Sequence, residues 1–495
     1  MAFTDRLANR GSISTGAYEI ENSIRLEAME PEELYYTTGS ASSDHDKGTF
    51  AFWMKKGERG HFSPMQINDF AGPYHSGMYF QSGTGNLADR LYMSHKDNDS
   101  SWTSWQRQFR DHSAWYHFVI RVDTTLAEGD DRIQLWVNGV RETVFNFAYT
   151  AGGADYFNAP PGQNDAHFWF DTGRKMTVGG VGSGDGYFAD YYYIDGQSVA
   201  PSEFGEFDED SGIWVPKKYG GTYGNNGFKL EFKETGTSAN ASGIGADTSG
   251  NGHHFTLTGI GAQNQTTDTP TNNFCVLNPE ANNNYDSPSG TLEMGGCRVA
   301  NAASSFTTYL GTTPFSSGKW YWEMEDMGSY TAAGILSVGK EHLLYEVSGA
   351  EGIAYRTWNG GALAKDGNAD ASTGLGAPDS NNWVWGFWVD MDNGKFTVKN
   401  LSGSGTPTVI DEVDIGKCFD NGRMVIPFVR VNAGSSVNIN FGNGRWRSDN
   451  MMGWYDSFNH SGRSDDNDYG TFEYYPNANS KSYYSLCTKN LAEFG

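Results

Sequence analysis

The stretch DDRIQLWVNGVRETVF limits the fold more than any other part of this chain. Ile133, Leu135 and Val137 alternate with polar neighbours up to Asn138-Gly139, and a period of two sends successive side chains to opposite faces of a strand. Asn-Gly tolerates the positive φ of a type I′ turn, so the segment reads as a β-hairpin of fixed register. The same alternation runs through SIRLEA (Ile24, Leu26, Ala28), TFAFWMK (Phe50, Phe52, Met54) and WYHFVIRVD (Tyr116, Phe118, Ile120, Val122). YFADYYYIDG reads as a further, half-buried strand. No helical period of comparable length occurs. Aromatic residues at 15% and 63 glycines favour strands joined by tight turns, so the expected class is all-β.

At 495 residues the chain exceeds what one core usually organises, and the pattern divides it. Residues 1–22 are polar and aperiodic, and read as an N-terminal attachment arm ordered by a neighbour. Residues 23–205 read as a first β-sandwich. Residues 206–300 turn to Gly, Asn, Ser and Thr with isolated strands such as FKLEF, and read as a partly structured connector. Trp214, Tyr219 and Tyr223 in it need a surface on which to bury themselves. Residues 301–445 read as a second sandwich, through GKWYWEME (Trp320, Trp322, Met324), the strand, Asn393-Gly394 turn and return strand of WVWGFWVDMDNGKFTVKNL, and SSVNINFG. Pro427 in MVIPFVRV argues for an edge or bulged strand, since proline cannot donate to a ladder. Residues 446–495 form a polar, Tyr-rich C-terminal segment. The architecture expected is two tandem β-sandwich domains of jelly-roll type.

Charge narrows the partners. Lys and Arg total 35 against 60 Asp and Glu, a net −25, which repels phosphate backbones and anionic lipid alike, so no nucleic-acid partner is expected. No run of about 18 apolar residues exists, so no membrane insertion is expected. The opening MAFTDRLANRGS has no apolar stretch behind its charges, and an ordinary secretory signal is not expected. Cys275, Cys297, Cys418 and Cys487 show no CxxC spacing and read as small core residues, with a disulfide left open.

Several of these segments carry a resemblance. SIRLEAMEPEELYYT with GTFAFWMKK, WYHFVIRVDTT with RIQLWVNGV, and GYFADYYYIDGQSVAPSEFGE together resemble a LamG-like, concanavalin A type jelly roll. GKWYWEME, AGILSVG, VWGFWVDMDNGKFTVKN and VNINFG resemble a SPRY domain. The order of both, with EFDEDSGIWVPKKYGGTYGNNGFKLEF, DTSGNGHHFTLTGI, DTPTNNFCVLNP and the terminal LCTKNL, is similar to marine tailed-phage structural proteins of the tail-fibre or lectin-like kind. That resemblance implies a non-enzymatic virion protein, in a tail fibre or a head-decorating position, synthesised in the host cytoplasm and displayed on the particle. Implied partners are other virion proteins, further copies of itself, with a trimer among the options, and host cell-surface polysaccharide.

Candidate sites were weighed against ordinary structural roles. Glu206, Asp208 and Asp210 have the E-x-D-x-E spacing that jelly-roll glucanases use for nucleophile and acid/base, which supplies an alternative reading as a polysaccharide depolymerase. GEFDEDSG has no apolar alternate face, however, and reads as a solvated acidic loop. Glu323 and Glu325 in WEMED alternate with tryptophans and read as strand residues. Oxygen-rich turns occur at Asp44 with Asp46, Asp97 with Asp99, Asp390 with Asp392, and Asp465 with Asp466 and Asp468. Asp247 with Asn251 in DTSGNGHH is the best calcium candidate, although Asp, Ser and Gly are ordinary turn formers and calcium takes six to eight oxygens. His253-His254 lacks zinc spacing. No GxSxG, HExxH or P-loop occurs, and no cofactor is required. For sugar binding, Trp102, Trp105, Tyr191, Tyr192 and Tyr193, with Tyr474 and Tyr475, are the candidate platforms, which also suit subunit contacts or a free lectin-like module.

Overall fold

The computed structural model describes residues 18–495 except 28–31, 58–60, 68–75, 81–88, 95–101, 146–148, 152–153, 157–159, 180–183, 283–289, 302–305, 326–329, 342–348, 358–360, 373–383, 402–408, 445–462 and 475–481. Strands account for 48% and helix for 7%, so the all-β class holds. Among the described residues no helix is long and apolar enough to cross a membrane. Contacts divide the described chain between Thr271 and Asn272 into two compact units. That boundary falls inside the 206–300 stretch. Most of the attachment arm, 1–17, lies outside the described residues.

In the first unit two antiparallel sheets enclose one core. The larger runs Val140–Glu142, Ile133–Val137, Tyr116–Asp123, Lys47–Lys56, Gly186–Asp195, Ser23–Leu26, Gln265–Thr266, with Phe228–Leu230 also on Gly186–Asp195. The second runs Thr256–Thr258, Glu33–Thr37, Lys175–Gly179, Phe62–Ile67, Ser76–Phe80, Arg90–Ser94, Trp102–Gln108. Phe50, Phe52, Met54, Phe118, Ile120 and Leu135 from one sheet meet Met65, Met78, Phe80, Met93 and Met176 from the other, as the alternation requires. The hairpin at Asn138-Gly139 turns with φ of 48° and 75°, as its sequence demands. Three strands come from residues 228–266. Each spans only two or three residues, too short for a two-residue period to announce it.

Strand Gly186–Asp195 departs from expectation. It is buried along its whole length, not on one face. A bulge between Ala189 and Tyr192, with Asp190 at φ 42°, changes the parity of the side chains. Phe188, Tyr191 and Tyr193 therefore point into the core, and Tyr187, Ala189, Tyr192 and Ile194 out of it. The outer set is covered in turn by Ile20, Trp53, Trp115 and Trp214 and by Phe204 and Tyr219. A buried ion pair fixes part of this cover: Lys55 Nζ lies 2.7 Å from Asp268 Oδ2, both side chains fully buried, while Trp115 Nε1 donates to Asp268 Oδ1 at 3.0 Å.

The second unit has the same plan. One sheet runs Leu277–Asn282, Thr307–Gly311, Val425–Val431, Ala332–Ser337, Gly352–Arg356, Ala362–Lys365, Asn368–Ser372. The other runs Thr291–Glu293, Arg298–Asn301, Ser435–Asn440, Lys319–Glu325, Val384–Asp390, Lys395–Asn400, Val409–Asp414. Trp320, Trp322, Trp385, Phe387, Val429 and Ile439 fill the space between. Pro427 corrects the expectation of an edge: its strand is paired on both sides. Opposite Thr307–Gly311 it lies one residue past the last rung, Leu310 with Phe428, so the missing N–H costs no rung there. The four cysteines are free and buried, and burial pushes the Cys275 and Cys418 thiols up to about 11 and Cys487 to about 12.

The polar C-terminal segment covers the outer face of this second sandwich. Tyr484–Ser485 pairs in parallel with Lys319–Glu325, and Phe472 and Tyr483 pack on Tyr321 and Trp388. Glu323, fully buried beneath them, accepts from Tyr321 Oη at 2.7 Å, Glu473 N at 2.8 Å and Tyr474 N at 2.7 Å. Burial pushes its carboxyl up from 4.5 to about 8 against the pull of those donors. The folded state thus holds a proton that the unfolded chain releases near 4.5. The stability from the neutral form is fully present below about 4.5 and falls by up to about 1.4 kcal/mol per pH unit as pH rises towards 8. Urea titrations across that interval should show the difference between wild type and Glu323→Gln narrowing or reversing with rising pH; parallel curves would contradict the assignment.

Candidate functional site

The structure disperses the aromatic candidates. Tyr191, Tyr192 and Tyr193 are exposed by 2% or less, and Trp105 not at all. Tyr191 and Tyr193 stack on Phe52 and Phe50 at 4.8 and 4.7 Å, and Tyr192 packs on Phe204 at 5.3 Å. Trp105, Tyr191 and Tyr193 lie in the core between the sheets and Tyr192 under the outer cover, so none of the four offers a face to a sugar. Trp102 begins strand Trp102–Gln108, and its side chain lies outside the described residues, as does Tyr475.

Asp247 and Asn251 do come together, but as a loop clasp. Asp247 Oδ1 accepts from Lys229 N at 3.0 Å and Ser249 N at 2.9 Å; Oδ2 accepts from Ser249 Oγ and His253 N, both at 2.9 Å. A carboxylate has about four lone-pair positions, and all four are taken by donors. Asn251 turns its amide nitrogen to the carbonyls of Gly224 and Gly227 at 2.8 Å each. His253 lies over Tyr36 at 4.4 Å, and His254 Nδ1 accepts from Asp247 N. The calcium assignment is corrected on this ground: the oxygens face N–H and O–H groups. Among the described residues no cluster of three His, Cys, Asp or Glu side chains is placed to hold a metal. Asp97 and Asp99 lie outside them.

Glu206, Asp208 and Asp210 sit on a hairpin formed by Gly205–Phe207 and Trp214–Pro216. Asp208 closes its turn, accepting from Ser211 N and Oγ at 2.7 Å each, and those bonds hold its carboxyl below the usual range. Glu206 and Asp210 are exposed, with Lys217 3.9 Å from Glu206. The spacing that suggested a glycosidase is that of a solvent-facing turn.

What the hairpin does present is apolar. Phe207 is 51% exposed, Ile213 40%, and Val140, on the adjacent edge strand, 57%. Val140, paired with Val137, points to the other face of its sheet, whereas Phe207 and Ile213 border Trp214, which is 9% exposed and anchors the hairpin to the sandwich. Its indole lies so close to Gly139 and Gly205 that a Cβ on either would stand 2.3 or 2.5 Å from the ring, which excludes any larger residue at both. Trp214 Nε1 donates to His117 Nδ1 at 3.0 Å, and burial holds that imidazole neutral by lowering its pKa to about 3. Phe207 packs edge-on against Trp214 at 5.0 Å. Sequence reading passed over this surface because alternation marks strands and says nothing about a lone Phe amid acids.

No family model and no curated protein matches this chain. Solved structures that match include the SPRY domain of human HERC1, at 15% identity over 33% of this chain and 96% of that one, with a TM-score of 0.25. The TRIM65 PSpry domain matches at 11% identity over 33% and 89%, TM-score 0.26. A native heptameric SAP-like pentraxin from Limulus polyphemus matches at 13% over 37% and 80%, TM-score 0.25.

For the Asp247 loop the expected outcome is that neither calcium nor chelator moves the thermal midpoint. Asp247→Ala, which strands three backbone N–H donors, should cost about 2 to 3 kcal/mol. A calcium-dependent rise in wild type that the variant lacks would restore the metal site.

Proposed function

We propose that this chain is a non-enzymatic binding protein of a tailed-phage particle, and that the hairpin surface of Phe207, Ile213 and Trp214 is a contact it makes with a protein partner. The module order described above, similar to phage tail-fibre and lectin-like virion proteins, supports the particle assignment. The observation that carries the contact is the exposure of two large apolar side chains, Phe207 and Ile213, beside a tryptophan fixed by its hydrogen bond to His117. Apolar groups clustered at this exposure favour a protein contact, and a preset side chain loses little freedom when it docks.

The chemistry of the partner follows from the rim. Glu206, Phe207, Glu209 and Asp210 are exposed side by side, and the chain as a whole carries −25. A second copy docked hairpin to hairpin would set like charges together, so the partner this surface fits presents apolar and cationic side chains, as another virion protein can. Glycan adhesion has lost the buried aromatic candidates, and the acidic trio lies on a solvent-facing turn, which favours binding over hydrolysis.

Particles of the encoding phage, purified and analysed by mass spectrometry, should contain the chain. Particles assembled with Phe207→Ser and Ile213→Ser together should retain it at about a tenth or less of the wild-type amount, since two lost anchors of this kind are worth about 1.4 kcal/mol or more. The isolated double variant should keep its stability within about 0.5 kcal/mol, both sites being on the surface. Absence of the wild-type chain from particles, or release of reducing ends from host polysaccharide that Glu206→Gln abolishes, would replace this reading with another.

A further inference from the structure

The first unit holds a lysine and two carboxylates in an arrangement that ordinary packing does not require. Lys229, in Phe228–Leu230, is paired across the sheet with Tyr192, next to the bulge that carries Asp190. Both side chains are 4% exposed. Lys229 Nζ lies 3.6 Å from Asp190 Oδ1, donates to Glu231 Oε1 at 2.6 Å and to Tyr18 Oη at 2.9 Å, and sits 5.2 and 5.1 Å from the Tyr18 and Tyr192 ring centres. Tyr192 Oη donates to Asp190 Oδ2 at 3.0 Å, and the Tyr18 hydroxyl is also bonded to Asp190. Asp190 reaches this position through a left-handed φ of 42°, a conformation that side chains disfavour and that is kept where the surroundings impose it.

The two carboxyls are driven apart. Burial raises the Asp190 pKa, Lys229 opposing it. Glu231 is also partly desolvated, yet its bonds to Lys229 and Lys233 bring its pKa below the usual value. One carboxyl thus tends to the neutral acid while the other stays an anion that touches the amine. Divergent pairs of this kind mark an acid and a base.

We propose that Lys229 and Asp190 form an intramolecular amide bond, with Glu231 as the proton acceptor. Glu231 takes a proton from the Lys229 ammonium group, and the freed nitrogen lone pair adds to Cγ of the protonated Asp190. Tyr192 donates to the oxygen on which charge develops. The Nζ–Cγ bond forms and the Cγ–Oδ1 bond breaks. Glu231 returns its proton to the departing hydroxyl, which leaves as water, and the second proton lost from nitrogen passes to solvent at the partly exposed Glu231. Nothing is oxidised or reduced. Nζ lies 3.6 Å from Oδ1 of the carboxyl whose Cγ it attacks, and exclusion of water protects the amine from solvation. The product joins strands Gly186–Asp195 and Phe228–Leu230 covalently and closes the intervening segment, with its Gly205–Pro216 hairpin, into a ring in a unit whose described residues include no cysteine.

The test is the mass of the full chain under denaturing conditions. The wild-type protein, purified folded, should be lighter than its sequence by one water, and proteolysis should yield a branched peptide joining Lys229 to Asp190. Lys229→Arg, which keeps the positive charge, and Glu231→Gln should both show the full mass and only linear peptides while retaining the β-sheet circular dichroism of the parent. A wild-type chain at full mass would mean an ion pair only and overturns the proposal, as does a water loss that maps elsewhere. A branched peptide that persists in Glu231→Gln would overturn the role of that carboxylate.

Discussion

A strand buried on both faces is the constraint from which the first sandwich follows. Gly186–Asp195 contributes Phe188, Tyr191 and Tyr193 to the core between the sheets and Tyr187, Tyr192 and Ile194 to the opposite side. Those outer side chains carry roughly 1.5 to 3 kcal/mol each of burial that is lost unless something lies over them. The cover comes from segments far away in sequence: Ile20 before the first strand, Phe204, Trp214 and Tyr219 after the last long one, and the return at Asp268 pinned to Lys55. Residues 205–271 are therefore part of this fold's energetics. They complete a layer that the sheet cannot leave open.

Irregular cover leaves backbone N–H groups without ladder partners, and carboxylates collect them. Asp195 accepts from Ser43 N, Asn226 N and Tyr193 Oη; Asp247 takes three backbone donors and a hydroxyl; Asp465 gathers Ser485 N and Oγ, Tyr469 N and Asn490 Nδ2. Charge-assisted bonds of this type are about twice as strong as neutral ones, and leaving the donors unmet would cost more still. Some of the excess of Asp and Glu over Lys and Arg is thus spent inside, holding Gly-, Asn- and Ser-rich loops in place. The net charge overstates how acidic the surface is.

That internal use explains what was legible in the sequence and what was not. The Asn138-Gly139 hairpin, the alternation of Phe50, Phe52 and Met54, and the tryptophans of GKWYWEME were readable because period and turn chemistry are local properties. The burial of Tyr191 to Tyr193 was not, since alternation identifies two faces and cannot say whether the second is covered. Pro427 misled for a related reason: a missing donor matters only where a rung exists, and rung positions depend on where the neighbouring strand ends. The spacing of Glu206, Asp208 and Asp210 and the oxygens of DTSGNG matched catalytic and calcium patterns because turns draw on the same residue types. Only the direction of the donors separates the uses, and direction is not written in spacing.

The same logic locates the exposed apolar surface. Phe207 is the cross-strand partner of Trp214 and shares its face at the edge of the ring, while Ile213 precedes Trp214 in the chain and points the other way. Placing Trp214 downward fixes Phe207 against its edge and leaves the other flank of that ring open. The cost of orienting these side chains is met when the chain folds, through the indole bond to neutral His117 and the two glycines that let the ring approach. In the contact proposed above, a partner would gain the burial of Phe207 and Ile213 with little ordering left to do. Loosening the grip at Gly139 should therefore weaken that contact even though Gly139 itself touches nothing outside the chain.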